Sequence, residues 1–111
     1  MTTKIYTEAD LTRDADKIGW VGTDSSTPDG YYSVTAVVLG IAYCYLLDAE
    51  TKAVVGRVML QIGHPPAIYA GNGLLGGNYV SPRGRDGGLR SAFEGIVDAV
   101  HEEREHPPLA H

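Results

Sequence analysis

The run from Tyr31 to Leu47, YYSVTAVVLGIAYCYLL, decides the fold: seventeen residues pass without a charge. Val, Ile, Tyr and Thr dominate it, which favours strand over helix. Its odd positions (Thr35, Val37, Leu39, Ile41, Tyr43, Tyr45, Leu47) are mostly large and its even ones (Val34, Ala36, Val38, Gly40, Ala42, Cys44) mostly small. Side chains alternate between the faces of a strand, so one long strand, bent near Gly40, would carry a bulky core face and a smooth face. The smooth face, Ala36, Val38, Gly40, Ala42 and Cys44, is the candidate for a homodimer contact, because an unfilled apolar surface usually meets a partner.

A membrane span is excluded by the same residues. Roughly 20 apolar residues are needed to cross. This run is shorter, holds Ser33, Thr35 and four tyrosines, and is flanked by Asp29 and Asp48 rather than by Lys or Arg. The start, MTTKIYTEADLTRD, has no apolar core of a secretory signal, so a soluble cytoplasmic protein is expected.

Working outward, Asp48–Ala53 is polar and reads as a hairpin connection to a return strand, 54–62. Val54, Val58, Leu60 and Ile62 fall on one face of that strand, and Arg57, Met59 and Gln61 on the other. An even loop places Tyr43 opposite Val58 and Ile41 opposite Leu60. Upstream, Thr7 caps a short helix with Asp10 in the place of a capping-box Glu, and Tyr6 and Leu11 form a hydrophobic staple. Leu11, Ala15 and Ile18 mark its apolar stripe and Gly19 its stop, placing this helix at an edge of the sheet. Gly22–Gly30 is a loop of turn formers. Residues 63–88 hold eight of the fourteen glycines, with short strands expected at Ala67–Ala70 and 78–81. Leu89, Phe93, Ile96, Val97 and Val100 define a last amphipathic helix over Leu89–Glu105, with Asp86 a candidate cap. The expectation is one α+β domain over residues 1–105, built on a central antiparallel hairpin with a short N-terminal helix and a packed C-terminal helix. The tail 106–111 cannot continue the helix past Pro107.

Composition narrows the function. A net charge of −5 argues against nucleic acid. The single cysteine, Cys44, excludes an internal disulfide and reads as a buried thiol. Gly, Ala, Arg and Pro make up a third of the chain, the bias of a GC-rich genome, and suggest an actinobacterial or phage source.

Four constellations invite chemistry. Gly71-Asn72-Gly73-Leu74-Leu75-Gly76 matches GxGxxG, but no helix opens at it, so a glycine turn is the better reading. In His101-Glu102-Glu103-Arg104-Glu105-His106 the histidines stand five apart, where a zinc-protease helix needs four, and no metal is expected. Arg83 and Arg85 precede the last helix and are the best candidates for holding a phosphate or carboxylate. Glu94, Asp98, Glu102 and Glu105 line the helix opposite its apolar side, a like-charge stripe that a basic partner could use. Ser25 and Ser26 have no His and Asp context, and no catalytic triad is visible. No cofactor is implied. By elimination these features point to a non-enzymatic protein-binding accessory or inhibitor, contacting another protein through Glu94, Asp98, Glu102, Arg83 and Arg85. The alternatives are a small-ligand or phosphate-binding domain on the glycine-rich loop, and a structural virion component.

Overall fold

The computed structural model describes residues 4–60, 67–81 and 88–105, with Arg104 and Glu105 described by backbone alone. A short helix α1 (Glu8–Asp14) leads into strands β1 (Lys17–Gly22), β2 (Tyr31–Val38), β3 (Ile41–Asp48), β4 (Val54–Met59), β5 (Ala67–Ala70) and β6 (Asn78–Tyr79), and the chain closes with helix α2 (Leu89–Glu105). The strands form one antiparallel sheet in sequence order, a meander with a helix against it, so the fold is α+β as expected. Among the described residues no helix is long and apolar enough to cross a membrane.

The charge-free run is two strands, not one. Leu39 and Gly40 both take positive φ, 52° and 79°, and reverse the chain between β2 and β3. Two residues with positive φ give a turn whose twist matches that of the flanking strands, so the hairpin needs no longer loop. The reversal also exchanges parity. Val34, Ala36 and Val38 now share a face with Tyr45, Tyr43 and Ile41, their cross-strand partners. The size alternation therefore pairs a small side chain with a large one across the ladder, Ala36 with Tyr43 and Val34 with Tyr45.

The second hairpin keeps its expected register for one pair only. Leu47 faces Val54, as an even loop requires, but Leu46 faces Gly56, so Val55 is an extra residue in a bulge. Beyond it the pairing is shifted by one, Tyr43 with Met59 and Cys44 with Val58, which puts Val54 and Val58 on opposite faces.

β1 escaped the sequence reading, and α1 stops five residues before Gly19. A bulge between Ile18 and Trp20 sets Ile18 opposite Ala36 and Val21 opposite Val34, so two residues three apart share a face. Such spacing imitates a helical stripe. The N-terminus of α1 is as expected: Thr7 N donates to Asp10 Oδ2 at 2.9 Å and the capping box is formed.

The core has two halves. Leu11 of α1 packs with Val34, Ala36, Val38, Tyr43, Tyr45, Leu47 and Val54, so α1 lies across one sheet face rather than at an edge. Phe93, Ala92 and Ile96 of α2 pack on the other face against Cys44, Leu46, Val58 and Ile68. Gly56 permits the close approach of α2: a Cβ there would lie 2.6 Å from Ile96 Cγ2 and from the Tyr69 carbonyl.

Candidate functional site

The glycine-rich loop is built into the α1 face. A Cβ on Gly71 would lie 2.5 Å from Gly77 Cα, and one on Gly77 2.6 Å from the Ala70 carbonyl, so both glycines close the neck of a tight excursion. Asn72 clamps the loop to two segments: its Oδ1 accepts from Tyr6 N at 2.7 Å, and its Nδ2 donates to Tyr6 O and Val54 O. The Tyr45 hydroxyl donates to Leu74 O at 2.7 Å and Arg57 Nη1 donates to Gly76 O. The loop thus presents carbonyls to the core, whereas a phosphate cradle presents N–H groups at a helix start. Residues 71–77 act as a cover for the sheet.

Arg57 stands out within that cover. It is buried, its guanidinium lies 4.3 Å from the Tyr69 ring centroid and 5.4 Å from that of Tyr43, and its Nε is enclosed without a partner. No carboxylate pairs with it among the described residues. Cation–π contacts contribute about 0.5–2 kcal/mol each, and a bond from a charged donor about 1.5–3 kcal/mol, which together offset its desolvation. Its visible role is to fasten β4 to the loop.

The remaining sequence candidates are distributed rather than gathered. On α2, Glu94 is paired with Arg90 at 2.9 Å, Asp98 is engaged as well, and Glu102 is exposed beside Glu103 on a shallow recess of about 360 Å³. Arg83, Arg85 and Asp86 lie outside the described residues, as do Ile62 and His106. Cys44 is buried, and burial pushes its thiol up to about 11, so it is no nucleophile at neutral pH. Ser26 is held in a turn by Asp24, and Ser25 O accepts from Arg90 Nη1 at 2.6 Å. Among the described residues no three His, Cys, Asp or Glu side chains are grouped to hold a metal.

What the sheet does expose is half a face. The Arg90–Ser25 bond holds the start of α2 at the β1–β2 loop, and Val100 and Glu103 near its end line a cleft with Ala53 and Asn72. Both ends of α2 therefore sit at the loop end of the sheet. Among the described residues no helix lies over the opposite end of that face, by the Leu39–Gly40 turn. Register places Lys17, Thr35, Val37 and Ala42 there, and Leu60 N bonds Ala42 O beside them, while the Trp20 ring lies over Gly22 toward the loop end. Trp20 is 43% and Leu60 45% exposed; on the α1 side Val34, Ala36 and Val38 are buried, whereas Val21 and Ile41 are exposed there too. Lys17, Gly19, Thr35, Val37, Ala42 and Leu60 shape a depression of about 250 Å³.

The expected smooth face does not exist as drawn. Ala36 and Val38 point into the α1-side core, Ala42 and Cys44 to the α2 side, and Gly40 occupies the turn. The sequence pattern does not mark Trp20, and it places Leu39, Leu60 and Arg57 only as strand residues. The LG pair midway in a symmetric apolar run was the available signal for the turn. Compared with protein-family models, curated proteins and solved structures, the chain matches none.

Proposed function

We propose that the chain is a non-enzymatic accessory that works by protein–protein contact through the open half of its α2-side sheet face. One observation carries this: at the hairpin end of the α2 side Val37 and Ala42 floor an apolar depression at whose rim Leu60 is nearly half exposed. Large side chains held in solvent on a rigid sheet are the usual anchors of an interface. The acidic stripe is a weaker candidate, since Glu94 already has its Arg90 partner.

The test is affinity capture with three baits: the wild type, Leu60→Glu, and the pair Glu94→Lys with Glu102→Lys. The proposal expects a stoichiometric partner, a second copy included, that is lost with Leu60→Glu and kept with the helix pair. Partners that survive Leu60→Glu overturn it. A melting shift with nucleotides or phosphate would instead favour a small-ligand function.

A further inference from the structure

Arg57 is a buried cation with most of its donors idle. On the α1 face it stands in one cross-strand row with Tyr45, Tyr69 and Tyr79, each opposite the next on adjacent strands. It is 7% exposed and donates one hydrogen bond, from Nη1 to Gly76 O, while its Nε is enclosed without a partner. A guanidinium carries five N–H donors and stays charged. Native proteins rarely leave a buried donor unused, and a charged one that is unused marks a place where an acceptor belongs.

The surroundings specify that acceptor. The guanidinium carbon lies over the Tyr69 ring at 4.3 Å and over the Tyr43 ring at 5.4 Å from the centroids. Rings that cover the flat of a guanidinium leave the donors in its plane, and a carboxylate entering in that plane accepts two of them side by side. The loop turns the carbonyls of Leu74 and Gly76 to this face, so the charge on offer is that of one guanidinium, which suits a monoanion better than a phosphate. Tyr79 stands edge-on to Tyr69 at 6.2 Å and is 64% exposed, carrying the aromatic row out to the β6 edge. A ligand with a carboxylate for Arg57 and an aromatic ring for the tyrosines matches both features.

The cover over Arg57 is thin. Asn72 is pinned to Tyr6 and Val54, and the Leu74 carbonyl to the Tyr45 hydroxyl. Beyond them Leu75, Gly76 and Gly77 are exposed, and a Cβ on Gly76 would meet nothing nearer than the Asn72 carbonyl at 3.9 Å. Gly77, at φ 111°, gives this half of the loop a hinge. The Gly76 carbonyl thus occupies the place of a ligand oxygen on Arg57. We infer that Arg57 anchors a binding site for an aromatic carboxylate on the α1 face, held shut by the Gly76 carbonyl and opened when Leu75–Gly77 lift. The site lies across the sheet from the Val37–Ala42 depression and adds a small-molecule function to the proposed contact surface.

The test is a titration of the labelled full chain with benzoate to about 20 mM, since a ligand this small binds in the millimolar range. It is followed at the Arg57 Nε–H resonance and at the amides of Gly76 and Gly77. Benzoate should move all three along saturable curves with one dissociation constant. Benzamide, of the same shape without the charge, and inorganic phosphate should leave them in place. Arg57→Met, with its fold checked by circular dichroism, should weaken benzoate binding about tenfold or more, read at the Gly77 amide. An Nε–H that does not respond to benzoate overturns the inference, as does an equal response to benzamide or binding retained by the folded variant. An equal response to phosphate overturns the carboxylate class. The comparison of benzoate with benzamide is made on the wild type, so it decides the matter even if Arg57→Met does not fold.

Discussion

Leu39 sits at φ 52° in a two-residue turn with three-quarters of its surface in solvent, so replacing it by asparagine has a definite sign. The left-handed conformation costs an ordinary L-residue about 1–2 kcal/mol, and asparagine, several-fold enriched there, recovers about 0.5–1 kcal/mol of it. The apolar surface given up contributes little, because an unfolded chain already hides a comparable share of a leucine. The net expectation for Leu39→Asn is a gain of about 0.5–1 kcal/mol, or a melting temperature raised by about 2–5 °C in a domain of this size. Circular dichroism at a few micromolar reads the melting temperature. In an unbroken strand the same change would destabilise, since asparagine is depleted from strands. A lowered melting temperature would refute the turn and with it the parity exchange that builds both halves of the core.

Gly56→Ala should destabilise by about 2–4 kcal/mol in chemical denaturation, because its Cβ meets Ile96 and the Tyr69 carbonyl at 2.6 Å. Asn72→Ala removes three bonds to the backbone and should cost about 1–3 kcal/mol, with faster amide exchange at Tyr6 as the local readout. Cys44 should react with a thiol reagent only at the rate of opening, because its thiol is buried and pushed up to about 11. Asp10 is held below its ordinary value, first by the bond from Thr7 N, Asp14 first by the side-chain bond from Arg13, and Asp24 first by the hydroxyl of Ser26. A carboxyl lowered on folding stabilises the native state above its unfolded pKa, so stability should fall as pH drops below about 3.9, and Asp10→Asn should flatten that acid limb.

The elements that could be read from sequence are those whose pattern is decided locally. The apolar stripe of α2 gave its bounds, Leu89–Glu105, and the β5 span Ala67–Ala70 was delimited by its neighbours. The Thr7–Asp10 cap was legible for the same reason. What failed was parity. Alternation in the charge-free run is compatible with one strand or with a hairpin, and only the conformation of Leu39 and Gly40 separates them. The bulges at Gly19 and Val55 each insert a residue that no side-chain pattern announces, which hid β1 and shifted the Tyr43–Met59 register. The candidate face was lost with the parity: its five residues are spread over both sides of the sheet, and the open surface is assembled from β1, the β2–β3 hairpin and Leu60, distant in sequence.

The central claim is that the hairpin end of the α2-side face is a contact surface. Amide spectra of labelled protein, recorded as the captured partner is added, test it most directly. The account predicts shifts at Lys17–Gly19, Val37–Ala42 and Leu60, with α1 and the acidic side of α2 unmoved. Shifts that map instead to Glu94 and Glu102, or spectra unchanged throughout, would contradict it.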